Sequence, residues 1–132
     1  LRERQLITAE NSVNNEVNNK IFKIENDEAM TLLLNTILDL QGYDVTVINN
    51  YEKIPECTPA LIILDAGSID TLKGIETCRQ IRKNPNFDKT KVILTSVYHD
   101  KEMVLNAGAD LYIPKPYEIS NLIKWIEKLL NT

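Results

Sequence analysis

The residues Leu61-Ile62-Ile63-Leu64 form an unbroken apolar run, closed by Pro59 on one side and by Asp65-Ala66-Gly67 on the other. The run is too short for a buried helix and lacks the apolar/polar alternation of a strand with one wet face. It fits a strand covered on both faces, as in a parallel sheet packed between helices. A parallel sheet needs long crossovers between its strands, so helices should stand between this run and others like it.

The rest of the chain supplies them. Ile21-Phe22-Lys23-Ile24 is a brief strand-like run. Met30, Leu33, Leu34, Ile37, Leu38 and Leu40 then recur at helical spacing, with Gly42 as the stop. Tyr43 to Ile48 is rich in β-branched residues and reads as a second strand, and Pro55 and Pro59 bracket the connection to the third. Leu72, Ile75, Cys78 and Ile81 mark a helix that Asn84-Pro85-Asn86 ends. Val92-Ile93-Leu94 is a fourth strand, and Met103 to Ala107 a short helix stopped by Gly108. Leu111-Tyr112-Ile113 is a fifth strand, ended by Pro114 and Pro116. Ile119, Leu122, Ile123, Ile126, Leu129 and Leu130 line one face of a last helix. Strand and helix alternating in this way predict an α/β fold, a doubly wound parallel sheet with helices on both faces.

Composition narrows the functional classes. At 132 residues the chain holds one core. Lys and Arg number 15 against 19 Asp and Glu, so no basic excess is available to neutralise nucleic-acid phosphates. No apolar segment is long enough to span a bilayer as a helix. Two cysteines, Cys57 and Cys78, make no disulfide framework, and the single His99 excludes a His-rich metal site. A soluble, cytoplasmic domain is expected, without direct contact to nucleic acid or membrane. Residues 1–19 differ from the rest: Asn11, Asn14, Asn15, Asn18 and Asn19 crowd a stretch with few large apolar groups. They are expected to be a linker or the end of an upstream region, because the chain opens on Leu1 rather than Met. The folded domain is expected over 20–132.

In doubly wound sheets the functional groups gather at the carboxyl ends of the strands. Those ends carry Glu25-Asn26-Asp27 after the first strand and Asp65 after the third. Thr95 or Ser96 follows the fourth, and Lys115 the fifth. Taken singly, each has a plain structural role open to it. Asp65 could cap a helix, the acidic cluster could serve a helix dipole, and Lys115 could be a surface lysine. Their convergence on one region is the more specific signal.

The words around these residues carry a resemblance. Ile24-Glu25-Asn26-Asp27, Leu61-Ile62-Ile63-Leu64-Asp65, Gly74-Ile75-Glu76-Thr77-Cys78-Arg79-Gln80-Ile81-Arg82, Ala107-Gly108-Ala109-Asp110 and Lys115-Pro116-Tyr117 follow one another in order. From Lys20 to Thr132 the chain resembles a receiver domain of two-component response regulators, similar to the chemotaxis regulator CheY. The resemblance implies a five-stranded sheet of order 2-1-3-4-5. It implies a phosphoacceptor role for Asp65, with Lys115 pairing with the phosphoryl oxygens. It implies a Mg²⁺ ion held by Asp65, the Gly67 carbonyl, Asn26 and, through water, Glu25. It further implies Ser96 or Thr95 as the switch hydroxyl, Tyr112 as the switch aromatic, and a cis Lys115–Pro116 bond. Ungapped alignment favours Ser96, whereas the local word Leu94-Thr95-Ser96 favours Thr95. The implied partners are a histidine kinase or histidine phosphotransfer protein and a downstream protein or attached domain, with a homodimer as a further possibility. Such a domain is a signalling module rather than an enzyme.

Some features depart from the family pattern. Asn26 stands where a second acidic metal ligand is usual, which predicts weaker Mg²⁺ binding. The segment from Asp65 to Gly74 lacks the usual Met-Pro word and is longer before its glycine. The stretch from Asn49 to Pro59 is short for the usual helix between the second and third strands. The segment from Ser96 to Lys115 is also short, so the helix between the fourth and fifth strands should be clipped. An alternative expectation follows: a pseudo-receiver, acting as a phosphorylation-independent protein-interaction module. An Asp-nucleophile hydrolase on a similar sheet is a third class, but the chain lacks room for the cap such enzymes carry.

Overall fold

The computed structural model describes residues 18–24, 28–48, 54–55, 57–65, 71–97 and 100–131. Along the chain run β1 (Lys20–Ile24), α1 (Glu28–Leu40), β2 (Asp44–Ile48), β3 (Leu61–Asp65) and α2 (Thr71–Lys83). A 3₁₀ turn (Pro85–Phe87), β4 (Lys91–Ser96), α3 (Lys101–Asn106), β5 (Leu111–Pro114) and α4 (Ile119–Leu130) follow. The strands form one sheet in the order β2-β1-β3-β4-β5, every pairing parallel.

Because side chains alternate across a strand, the continuous apolar runs feed two cores. Phe22, Ile62, Leu64, Val92, Leu94 and Tyr112 pack with Ile75, Cys78 and Ile81 of α2 and Val104 of α3. Ile21, Leu61, Ile63, Ile93 and Ile113 pack with Leu34 and Leu38 of α1 and Leu122, Ile123 and Ile126 of α4. Each fully buried Ile or Leu contributes about 2 kcal/mol, so both layers are needed to hold the sheet.

The local signals act as their chemistry requires. Gly42 (φ 92°) ends α1 in a Schellman motif, in which Tyr43 N–H donates to Leu38 O and Gly42 N–H to Asp39 O. Asn84 caps the 3₁₀ turn by accepting from Asn86 N–H, and Asp100 caps α3 by accepting from Glu102 and Met103 N–H. α3 has six residues. The expected shortening between β2 and β3 falls on residues 49–53 and 56, outside the described residues. The leader also lies outside them up to Asn18. Asn19 belongs with the fold: its side chain donates to Gly42 O at 2.6 Å, and its carbonyl accepts from Asp44 N–H at 3.0 Å.

Two apolar positions of α1 are not core. Leu33 and Leu40 are 52% and 81% exposed, while Leu34 and Leu38 are fully buried. Helical spacing predicts a stripe but not its width, and here the stripe closes on Leu34, Ile37 and Leu38.

Arg82, at the end of α2, joins four segments. Its guanidinium donates to Gly108 O (2.7 Å), Phe87 O (3.1 Å), Thr90 O (2.9 Å) and Asp110 Oδ2 (2.7 Å). The same Asp110 oxygen accepts from Val92 N–H at 2.8 Å. Gly108 ends α3 with φ 108°, and a Cβ there would land on Arg82 Cγ.

Cys57 is exposed and Cys78 is buried in the α2 core, where desolvation pushes its thiol up to about 11. Alkylation at pH 8 should therefore modify Cys57 alone, and a second label should appear only on unfolding; mass spectrometry of native and denatured samples checks this. The shift also sets a sign. Cys78 stabilises the neutral, folded form below the ordinary thiol range, and that contribution is lost as pH rises through about 11.

Candidate functional site

The chain leaves β1 in one direction to make β2 and crosses back to make β3, so the topological switch point lies between β1 and β3 at their carboxyl ends. Asp65, the last residue of β3, stands at that point. Lys115 directly follows β5, and its Nζ reaches to 2.5 Å from Asp65 Oδ1. Asp65's side chain is 4% exposed and that of Lys115 is 22% exposed. The contact is a close ion pair and not an aligned hydrogen bond, since Asp65 Oδ1 has no hydrogen-bond partner among the described residues. A nearly dry carboxylate thus faces one ammonium at the switch point of the sheet. The Lys115–Pro116 peptide bond is cis.

Thr95 and Ser96 do not follow β4, as the sequence reading has it, but are its last two residues. Asp65 pairs with Thr95 in the ladder, and Ser96 pairs with Pro114. Strand alternation separates the two hydroxyls. Ser96 shares the parity of Val92 and Leu94, on the face that also holds Tyr112, whereas Thr95 shares that of Ile93 on the opposite face. Thr95 Oγ1 is buried without a hydrogen-bond partner among the described residues. Tyr112 is 8% exposed, and its hydroxyl donates to Ser96 O at 3.0 Å. Burial holds its phenol above the ordinary range, against a smaller lowering from the Ser96 side chain. Ser96 O also accepts from Lys115 N–H at 2.9 Å. One backbone carbonyl thus joins the ends of β4 and β5 to the aromatic.

Glu25, Asn26 and Gly67 lie outside the described residues, as does His99. The donors they would add to Asp65 are carboxylate, amide and carbonyl oxygens, the set a hard divalent cation takes. Asp65 Oδ1, buried without a hydrogen bond, leaves lone-pair capacity for such an ion. The residues present therefore fit Mg²⁺. Among the described residues no cluster of three or more His, Cys, Asp or Glu side chains is placed to hold a metal ion.

Trp125, whose place the sequence leaves open, is 39% exposed and carries Lys128 Nζ over its ring at 5.0 Å. One charged residue of the sheet escapes the sequence reading. Lys23 in the middle of β1 is 1% exposed. Its signal is a lysine inside an otherwise apolar run, which strand periodicity alone passes over.

A family model described as the response regulator receiver domain matches residues 21–127. The chain is 34% identical over 115 residues to a transcriptional regulatory protein, the CpxR homolog of Haemophilus influenzae, covering 84% of this chain and 50% of that protein. It is 33% identical over 118 residues to the phosphate regulon transcriptional regulatory protein PhoB of Rhizobium meliloti, covering 84% and 52%. Among solved structures, a CheY-like receiver domain protein from Methanospirillum hungatei JF-1 superposes with a TM-score of 0.73 at 26% identity, over 86% of this chain and 94% of that one. The chain spans about half the length of the curated relatives it matches. No helix among the described residues is long and apolar enough to cross a membrane. The matched span runs from within β1 to within α4 and takes in Asp65, Thr95, Ser96, Tyr112 and Lys115, and the chain belongs to the response regulator receiver domain family.

Proposed function

We propose that this domain accepts a phosphoryl group on Asp65 and passes the resulting change to a partner. The observation that carries the reading is the dry Asp65–Lys115 ion pair at the switch point of the sheet. An Asp65 carboxylate oxygen attacks the phosphorus of a phosphohistidine. The P–N bond breaks, its electron pair leaves with the imidazole, and an acyl phosphate forms on Asp65. The Lys115 ammonium pairs with the phosphoryl oxygens as a point charge. Asp65, Glu25, Asn26 and the Gly67 carbonyl would hold Mg²⁺, which supplies positive charge to the transferring group. The donor is a histidine kinase or histidine phosphotransfer protein, and the receiver of the signal is a downstream protein or an attached domain, in the cytoplasm.

Ser96 is the switch hydroxyl in this reading, because it shares a face with Tyr112 and its carbonyl holds the Tyr112 hydroxyl, whereas Thr95 is the hydroxyl residue that pairs with Asp65. Phosphorylation shifts the population between two arrangements of this strand end. Ser96→Ala should uncouple Tyr112 from the phosphorylation state, read from the Tyr112 ring signals by NMR. Thr95→Val should leave that coupling unchanged and raise stability by about 1 kcal/mol, since it removes a buried hydroxyl without a partner. The reverse pattern transfers the role to Thr95.

The test of the reading is incubation with acetyl phosphate and MgCl₂, followed by intact-mass measurement. One added phosphoryl group is expected, labile to base and to hydroxylamine as an acyl phosphate is. No mass gain under saturating donor, with the fold intact, overturns the reading. Asn26 favours a second reading, in which the fold serves protein contacts without phosphorylation; that outcome is the one it anticipates.

A further inference from the structure

β2 is one of the two outer strands of the sheet, and its residues leave that edge open. Edge strands present unpaired N–H and C=O groups, and they are normally guarded by lysine, proline, a bulge or short length. The opposite edge, β5, has four residues and closes on Pro114, which has no N–H to offer. β2 reads Asp44-Val45-Thr46-Val47-Ile48, with no lysine and no proline, and all five residues sit in register on β1 without a bulge. Its one charge, Asp44, stands at the end of the strand and pairs with Lys20 at 3.2 Å. Thr46 is exposed, and Val47 is 37% exposed.

The ladder fixes which backbone groups face outward. Asp44 N–H donates to Asn19 O at 3.0 Å, so Asp44 turns its backbone groups toward β1. In a parallel ladder that direction alternates from residue to residue, so Thr46 and Ile48 also turn inward while Val45 and Val47 turn out. Among the described residues β2 has no strand on its outer side. The two outward residues flank Thr46 symmetrically, which makes the edge self-complementary. Laid antiparallel on a second copy about a twofold axis through Thr46, Val45 falls opposite Val47 of the other copy, and Val47 opposite its Val45. Each such pair exchanges both N–H···O=C bonds, and the two Thr46 residues meet between them as the close, non-hydrogen-bonded pair. Thr–Thr is a favourable cross-strand pair. The two Asp44 carboxylates fall at opposite ends of the ribbon, so like charges do not meet. Beside the edge, Asn35 and Thr36 of α1 line a cleft with Asp44 and Val45. Leu32, 70% exposed, stands one turn before them on the same helix face.

We propose that the outer edge of β2 is a docking surface for a second copy of this chain, paired antiparallel about Thr46 into one continuous sheet. The inference stands apart from the proposed role of Asp65. Each copy adds its five strands, and the carboxyl ends of the two halves point in opposite directions. The Asp65–Lys115 ion pair, built from the ends of β3 and β5, lies away from the contact. One short edge with Val47 and Leu32 beside it buries less than a standard stable interface does. The pairing is therefore weak and depends on protein concentration.

The experiment is sedimentation equilibrium of the whole chain at protein concentrations up to about 1 mM, with amide hydrogen exchange read residue by residue by NMR. Association to a dimer is expected, and the outward-turned Val45 and Val47 amides should become protected as the dimer forms. Thr46→Lys sets two ammonium groups face to face at the twofold axis and should raise the dissociation constant about tenfold or more. Val47→Pro removes an outward N–H without taking a bond from the β1 ladder and should weaken the dimer likewise. It carries the comparison should Thr46→Lys fail to fold. Asn121→Lys, a charge of the same sign on α4, should leave association unchanged. A monomer at every concentration overturns the proposal, as does a dimer that Thr46→Lys and Val47→Pro leave intact. Loss of the dimer in Asn121→Lys moves the contact to α4 and overturns it. Protection of Val45 and Val47 in a monomer, independent of concentration, gives the edge to another segment of the chain and overturns it too.

Discussion

Asp65→Asn should abolish phosphoryl incorporation from acetyl phosphate while leaving the fold intact. The amide is nearly the same size as the carboxylate, but its nitrogen lone pair is delocalised and its oxygen carries no charge. It can neither attack phosphorus effectively nor leave as a carboxylate when the product hydrolyses. The loss should reach the detection limit of intact-mass measurement, on the order of a thousandfold or more in rate. Stability should change little. The Asp65 side chain is 4% exposed, so removing its charge relieves desolvation, while Lys115 at 22% exposure can turn its ammonium to water. Lys115→Met is the informative companion. It leaves the nucleophile in place without its counter-charge, so incorporation should be slowed and not eliminated. An Asp65→Asn protein that still gains a phosphoryl group would place the nucleophile elsewhere.

Gly108→Ala should be the most damaging small substitution among the described residues. Two effects act together. A side chain at φ 108° costs about 1–2 kcal/mol in backbone strain. The added Cβ also lands on Arg82 Cγ, close to the backbone and not at the tip of a free side chain. Arg82 cannot step aside without loosening its bonds to Gly108, Phe87, Thr90 and Asp110. Each such bond is worth about 1 kcal/mol, or more where both groups are charged. A total of about 3–5 kcal/mol follows, a large part of a domain's usual 5–15. Melting temperature should drop by more than about 10 °C. Gly42→Ala is the control. Its φ is 92°, but no atom lies within 4 Å of the added Cβ, so only the strain term applies. In the Arg82→Ala background the Gly108→Ala cost should fall toward that of Gly42→Ala, because the obstructing atom is gone. If the two glycines cost the same in wild type, the Arg82 contact is not what penalises Gly108.

Much of this arrangement was legible in the residues, and the reasons differ from place to place. The run from Leu61 to Leu64 announced a doubly covered strand because burial on both faces leaves no room for a polar residue. Gly42 and Gly108 marked helix ends because both take a positive φ that other residues resist. Asp65 and Lys115 were readable as strand-end groups, and their meeting follows from a parallel sheet bringing all carboxyl ends to one edge. The hydroxyl assignment was not settled by spacing, since Thr95 and Ser96 are adjacent. The extent of β4 places the two on opposite faces, Ser96 with Tyr112 and Thr95 beside its ladder partner Asp65. Leu33 and Leu40 were misplaced because periodicity finds the direction of an apolar stripe and not its edges. The Arg82 bonds to three carbonyls were invisible because backbone acceptors carry no sequence signature. Lys23 was visible in the sequence but passed over, since one charge does not spoil a strand pattern.

Asn19, fastened to Gly42 and to the start of β2, fixes where the chain enters: at the amino edge of the sheet. α4, with 12 residues, is about 18 Å long and returns from the carboxyl edge across the length of a strand. Entry and exit therefore share one pole of the domain, and Asp65 occupies the other. The described ends, Asn18 and Asn131, therefore stand away from Asp65. If Asp65 is the phosphoacceptor proposed above, a neighbour bound at that pole learns of the modification only through the sheet.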